Sequence, residues 1–198
     1  MLPDTKAAPR YPLAIVGAGA LGLNFAARLA AVGPVALIAR SEARAAELRA
    51  GVQVGDAIFR PHAFGPDSLP AADWVIVLVK TYDTAAAART ALALRPRGVV
   101  SLQNGLTGDA LRAACGDVPA GQGITTEGAF RDGLRVQPSG AGETLLPPGF
   151  EAVGLGTLAS ALDGSALVPG APLTLRVVGK ALAGAAWTGR VRSEERRV

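Results

Sequence analysis

The 198-residue sequence predicts an α/β fold built on a doubly wound, mostly parallel sheet, with antiparallel strands added at its C-terminal edge. Three observations predict it. Short apolar runs alternate with Ala/Leu-rich helical stretches through the first hundred residues. The first run passes into a glycine-spaced turn, "GAGALG". After Gly121 the pattern changes to short segments separated by glycine turns. A hydrophobic content of 49% is enough to bury a real core and excludes a disordered chain.

Taken in order, Pro12 to Val16 reads as a buried strand. Leu21 to Ala31 follows as a helix closed by Gly33 and Pro34. "PVALIAR" is a second buried strand ending at Arg40, and "SEARAAELRAG" a helix with Ser41 as N-cap and Gly51 as terminator. "VQVGDAIFRPHAF" has the period of extended strands. Trp74 to Val79 is apolar on both faces, as a central parallel strand should be, and ends at Lys80. An Ala-rich helix from Asp83 to about Leu94 precedes the apolar strand of "GVVSLQNG". "GITTEGAF", "GLRVQPSG" and "EAVGLG" read as antiparallel strands completing the sheet, Thr157 to Leu162 as a helix and "APLTLRVV" as a last strand.

Composition removes several function classes. The formal charge is +4, but Arg190, Arg192, Arg196 and Arg197 against Glu194 and Glu195 place +2 of it in the last nine residues. The nearly neutral body shows no basic stripe interleaved with aromatics, so no nucleic-acid partner is expected. A single cysteine, Cys115, excludes an internal disulfide and a Cys-based metal cluster and fits a reducing cytoplasm. The one histidine, His62, reads as a surface or turn residue, so no metal site is expected. "MLPDTKAAPRYP" is neither a signal peptide nor a membrane span.

Gly17, Gly19 and Gly22 form GxGxxG between a predicted strand and a predicted helix. The first glycine permits the tight turn, the second lets a pyrophosphate approach the backbone and the third lets the helix pack close. Gly17, Ala18, Gly19, Ala20, Leu21 and Gly22 are therefore the candidate phosphate-binding turn of a Rossmann-type fold. Where an NAD enzyme places an acid for the ribose hydroxyls, this chain has Arg40 and Ser41. A guanidinium pairs bidentately with a 2′-phosphate and the hydroxyl adds a donor, so NADP is the expected cofactor.

Lys80 stands at the carboxyl end of a central strand, where open sheets bind ligands, in a chain that uses arginine 17 times and lysine only at Lys6, Lys80 and Lys180. Asn104, in "LQNGL", occupies the same position on the next strand. Its amide suits bridging a nicotinamide or ribose to a carbonyl substrate, while Asn-Gly is equally a common turn dipeptide.

Together, "GAGALG", Arg40, "VLVKTYDT", "LQNGL" and "GITTEGAFRDG", in that order from about Leu13 to Gly156, resemble the ketopantoate reductases (2-dehydropantoate 2-reductases). The resemblance implies NADPH-dependent reduction of 2-dehydropantoate to pantoate, on the route to pantothenate and coenzyme A. It implies that Lys80 and Asn104 border nicotinamide and substrate, and that a lysine early in a helical second domain protonates the product oxygen. Lys180 matches that lysine by its place after the sheet. Two departures stand out. Glu127 in "TTEGA" replaces a common histidine, and after Asn104 there is no asparagine for the second domain's long helix.

The expected division is therefore an NADP-binding Rossmann domain over 1–178, with 179–198 a remnant of the first helix of a missing helical substrate domain or an aberrant tail. The Arg/Glu run after Trp187 favours a frameshifted reading frame. Such a chain should bind cofactor and reduce its 2-oxo acid poorly or not at all, and a homodimer could cover the exposed surface. Two rival readings remain open: a non-catalytic NADP-binding module, and a related two-domain dehydrogenase acting on another 2-oxo acid.

Overall fold

The computed structural model describes residues 9–31, 33–139, 142–147 and 174–177. In chain order the first half contains β1 (Arg10–Val16), α1 (Ala20–Leu29), β2 (Val35–Ile38), α2 (Glu42–Ala50), β3 (Val52–Val54), β4 (Ala57–Phe59), β5 (His62–Phe64) and β6 (Ala71–Val77). A 3-10 turn at Thr81–Asp83 leads into α3 (Thr84–Ala93), β7 (Gly98–Ser101), α4 (Gly108–Cys115), β8 (Ala120–Gln122) and β9 (Ile124–Thr125). The last described strands are β10 (Ala129–Asp132), β11 (Arg135–Pro138), β12 (Glu143–Leu146) and β13 (Thr174–Val177).

Six strands form one sheet in the order β5-β2-β1-β6-β7-β8, and every neighbouring pair is parallel. Among these six, chain order is 3-2-1-4-5-6, the doubly wound arrangement in which winding direction reverses between the first and fourth strands. Here those are β1 and β6, paired from Arg10↔Ala71 to Val16↔Val77.

Side-chain alternation along these strands fills two separate cores. Leu13 and Ile15 of β1 pack with α1, α2, β3 and β11 on one face, whereas Ala14 and Val16 pack with α3 and α4 on the other. Covering both faces is why the parallel strands read as continuous apolar runs.

The antiparallel strands exist, but they do not extend the edge of the main sheet. β8 takes that edge as a sixth parallel strand. The β10–β11 hairpin instead pairs β11 in parallel with β3, giving a second sheet ordered β10-β11-β3-β4, and β12 joins β13 and β9 in a third. The physical reason lies in α1. Residues Gly22 to Ala27 and Leu29 are all buried, Asn24 among them, so this helix is enclosed nearly all round and is covered on its far side as well. The second sheet covers it, with α1 packed between β1 and β2 on one side and β3, β10 and β11 on the other.

Two boundaries shift. β6 runs Ala71–Val77, so Lys80 follows the strand by three residues rather than ending it. α1 begins at Ala20 and ends at Leu29. The helix expected at 157–162 and the strand in "EAVGLG" lie outside the described residues, while Thr174–Val177 falls within the expected last strand.

Candidate functional site

The turn after β1 is held by backbone on both sides. Gly17 N–H donates to Ile38 O at 3.2 Å, and Leu78 N–H to Val16 O at 2.9 Å. Gly17 has φ +124°, and a Cβ there would lie 2.6 Å from Leu78 O; a Cβ on Gly22 would lie 1.8 Å from Gly17 O. Both positions are thus closed to any side chain. Gly19 differs, because a Cβ there meets no protein atom within 4 Å. It is the N-cap of α1, with no side-chain cap and no acid in the first turn. The helix N-terminus therefore offers uncapped N–H groups and positive dipole toward open space, which fits a pyrophosphate.

At the end of β2, Arg40 is exposed and forms no hydrogen bond or ion pair among the described residues. Ser41 is the N-cap of α2, its Oγ accepting from Arg44 N at 3.2 Å, so its hydroxyl hydrogen is left for another acceptor. One turn into α2, Arg44 Nη1 donates to Glu47 Oε2 at 2.5 Å.

Lys80 and Asn104 lie beyond adjacent strands, β6 and β7. Both side chains are exposed and without polar partners among the described residues. Their loops touch, since a Cβ on Gly105 would come within 3.6 Å of the Thr81 methyl. Gly105 takes φ +86°, so the Asn-Gly step is a true turn; Asn104 is presented by that turn rather than consumed in it.

Gln103 explains why the two loops sit together. It is buried, and its Nε2 lies 3.1 Å from Val79 O, Lys80 O and Thr84 Oγ1. Its Oε1 accepts from Ser101 Oγ at 3.0 Å, and Ser101 Oγ is 2.9 Å from Thr107 Oγ1. From the other side, Gln122 Oε1 accepts from Thr107 N at 3.0 Å and Gly108 N at 2.7 Å, while its Nε2 donates to Gly105 O. A buried amide, Gln103, and a half-buried one, Gln122, thus fix the presentation of Lys80 and Asn104. The sequence reading passed over both; for Gln103 the available signal was a glutamine just beyond a wholly buried strand, where an amide must find partners.

The glycine turn, Arg40, Lys80 and Asn104 all emerge at the carboxyl ends of β1, β2, β6 and β7, around the point where the winding reverses. In the comparisons with known proteins, the family model described as "Ketopantoate reductase PanE/ApbA" matches residues 13–149, well over half of the chain. The chain belongs to the PanE/ApbA ketopantoate reductase family.

Solved structures show the same fold. The 2-dehydropantoate 2-reductase from Methylococcus capsulatus superposes with a TM-score of 0.66 at 22% identity, over 84% of this chain and 57% of that one. A D-mandelate dehydrogenase in complex with NADH gives 0.64 at 20% identity, over 86% and 55%. The dimeric ketopantoate reductase from Staphylococcus aureus gives 0.65 at 15%, over 86% and 61%. The chain therefore spans little more than half the length of these relatives. No curated protein matches it.

Glu127 proves to be buried, and its Oε2 lies 2.9 Å from Nη1 of Arg28 near the end of α1. Its carboxylate is thus paired with the helix between the two sheets. A buried charge is tolerable only with such a partner. His62 sits on β5 with Nδ1 3.0 Å from the Tyr11 hydroxyl, and Cys115 is buried in the α3/α4 core, where burial raises its thiol pKa. Lys180 lies outside the described residues. Among those described, no cluster of metal-ligating side chains occurs and no helix is long and apolar enough to cross a membrane.

Proposed function

We propose that the crevice binds NADP(H), and that this chain is the cofactor half of a reductase acting on a 2-oxo acid, 2-dehydropantoate being the first candidate. The observation that carries the reading is the convergence of four features at one topological switch point: a glycine turn closed to side chains yet open at Gly19, the unpartnered Arg40, and unpartnered Lys80 and Asn104 on adjoining loops.

Each residue has a part that its chemistry suits. The N–H groups of the Gly17–Gly22 turn hold the pyrophosphate, and Arg40 with Ser41 holds the 2′-phosphate. Bound NADPH supplies a hydride to the substrate ketone. The Lys80 ammonium, a compact donor of three hydrogen bonds, attracts the substrate's carbonyl oxygen and carboxylate. Asn104 donates and accepts at the nicotinamide and ribose end. Lys180 is the proposed proton donor to the product oxygen, by its place after the sheet, with the division of the chain near residue 178. Soluble cytoplasmic operation belongs to the same proposal, as does a homodimer like the Staphylococcus aureus relative.

A second reading has one observation in its favour. The D-mandelate dehydrogenase neighbour was solved with NADH, so this fold also serves another 2-hydroxy acid and the unphosphorylated cofactor.

The test is NADPH oxidation by the 198-residue chain with 2-dehydropantoate, benzoylformate and pyruvate, after NADPH binding is established by its fluorescence. Turnover selective for 2-dehydropantoate and abolished by Lys180→Ala is the expected signature of a chain that carries the whole reaction. That outcome would overturn the cofactor-half reading; binding without turnover of any 2-oxo acid is the result expected of a cofactor half, and failure to bind NADPH would remove the proposal altogether.

A further inference from the structure

Arg131, on β10, belongs to neither the glycine turn nor the β2 end, yet it meets both. Its Nη1 donates to Ala18 O, inside the glycine turn, at 3.2 Å. Partial desolvation lowers the Arg131 pKa, and the charges of Arg44 and Arg40 lower it further, with Glu47 opposing. Arg44 in turn places Nη2 3.5 Å from Gly133 O in the β10–β11 turn. Arg131 thus reaches the glycine turn, Arg44 reaches the β10–β11 turn, and the charge of Arg40 acts on the same neighbourhood.

The charges there do not balance. Glu47 is the carboxylate near the cluster, and it is already paired with Arg44 at 2.5 Å. Arg40 and Arg131 have no carboxylate partner among the described residues, and Arg131 bonds only to a carbonyl. Like charges held together without a counter-ion repel, and a multiply charged anion between them would reverse the sign of that interaction. Guanidinium forks match phosphate oxygens bidentately. The cluster sits between the pyrophosphate turn and the end of β2, the interval that an adenosine ribose spans in this fold.

We propose that Arg131 is a specificity-determining residue for the 2′-phosphate, closing with Arg40 and Arg44 a three-arginine pocket contributed in part by the second sheet. This rests on the reading that the crevice binds NADP(H). It adds that discrimination against the unphosphorylated cofactor depends on the β10–β11 hairpin as well as on the β2 end.

The experiment is calorimetric titration of the full chain with 2′,5′-ADP and with 5′-ADP, repeated for Arg131→Gln, Arg131→Lys and Arg40→Gln. The unsubstituted chain should favour 2′,5′-ADP. Arg131→Gln should weaken 2′,5′-ADP by about tenfold, in keeping with loss of one charge-assisted pair, and leave 5′-ADP within about twofold. Arg131→Lys, which keeps the charge if the Gln variant fails to fold, should lose about threefold toward 2′,5′-ADP alone. Equal weakening of both ligands would show that Arg131 only props the glycine turn, overturning the proposal. Preference lost in Arg40→Gln but retained in both Arg131 variants would overturn it while leaving the NADP reading intact. An unsubstituted chain that binds neither ligand, or both equally, would overturn both.

Discussion

Gly22→Ala is expected to destabilise the fold by about 3 kcal/mol and to abolish nucleotide binding, because its Cβ would lie 1.8 Å from the Gly17 carbonyl oxygen. The obstacle is backbone and cannot rotate away. Relief requires α1 to lift from the β1 turn, and α1 is packed between two sheets, so the displacement reaches both. Urea unfolding should report the loss as a lower midpoint with little change in slope. Gly19→Ala is the contrasting variant. A methyl there meets no protein atom within 4 Å, so stability should stay within about 0.5 kcal/mol. It would instead occupy the space a pyrophosphate must enter, and NADPH affinity should fall by about tenfold or more. Unchanged NADPH affinity in Gly19→Ala would place the phosphates elsewhere.

Gln103→Leu is the second large effect. The leucine fills similar volume but withdraws both the donor toward Val79 O, Lys80 O and Thr84 Oγ1 and the acceptor for Ser101 Oγ. Buried polar groups left unmatched cost about 1–3 kcal/mol each, less where relaxation or water restores a partner. A net loss of about 2–3 kcal/mol should lower the melting temperature of a chain this size by about 5–10 °C. The functional consequence is separate from stability. Lys80 and Asn104 keep their identities but lose the amide that joins their loops, so affinity for the nicotinamide end should fall while 5′-ADP affinity is preserved. Equal loss for NADPH and 5′-ADP would mean that Gln103 only supports the fold.

Much of the architecture was legible because it is written locally. The glycine spacing, the Ser41 cap and the apolar runs of β1, β2, β6 and β7 each mark an element within a few residues. Ser41 does cap α2, and Gly17 and Gly22 are closed to side chains as their spacing implied.

What was misplaced depends on pairing at long range. Period-two patterning identifies "GITTEGAF" and "GLRVQPSG" as extended but does not say which strand β11 will join. Its partner, β3, lies some eighty residues earlier in the chain, and the determining fact is the far side of α1, which needs cover. Arg131 escaped notice for the same reason: nothing around it in "AFRDG" signals that its strand will bring it to Ala18 and Arg40. Gln103 could have been found, since an amide just beyond a wholly buried strand is legible as a group that must be bonding something.

The most direct test of the NADP(H) site is a crystal structure of the chain soaked in NADPH. The expected density places the pyrophosphate over the Gly17–Gly22 turn and the 2′-phosphate about 3 Å from the Arg40 and Arg131 guanidinium groups, with the nicotinamide end between Lys80 and Asn104. Nucleotide bound away from the carboxyl ends of β1 and β6, or in the crevice with its 2′-phosphate turned from Arg40, would contradict it.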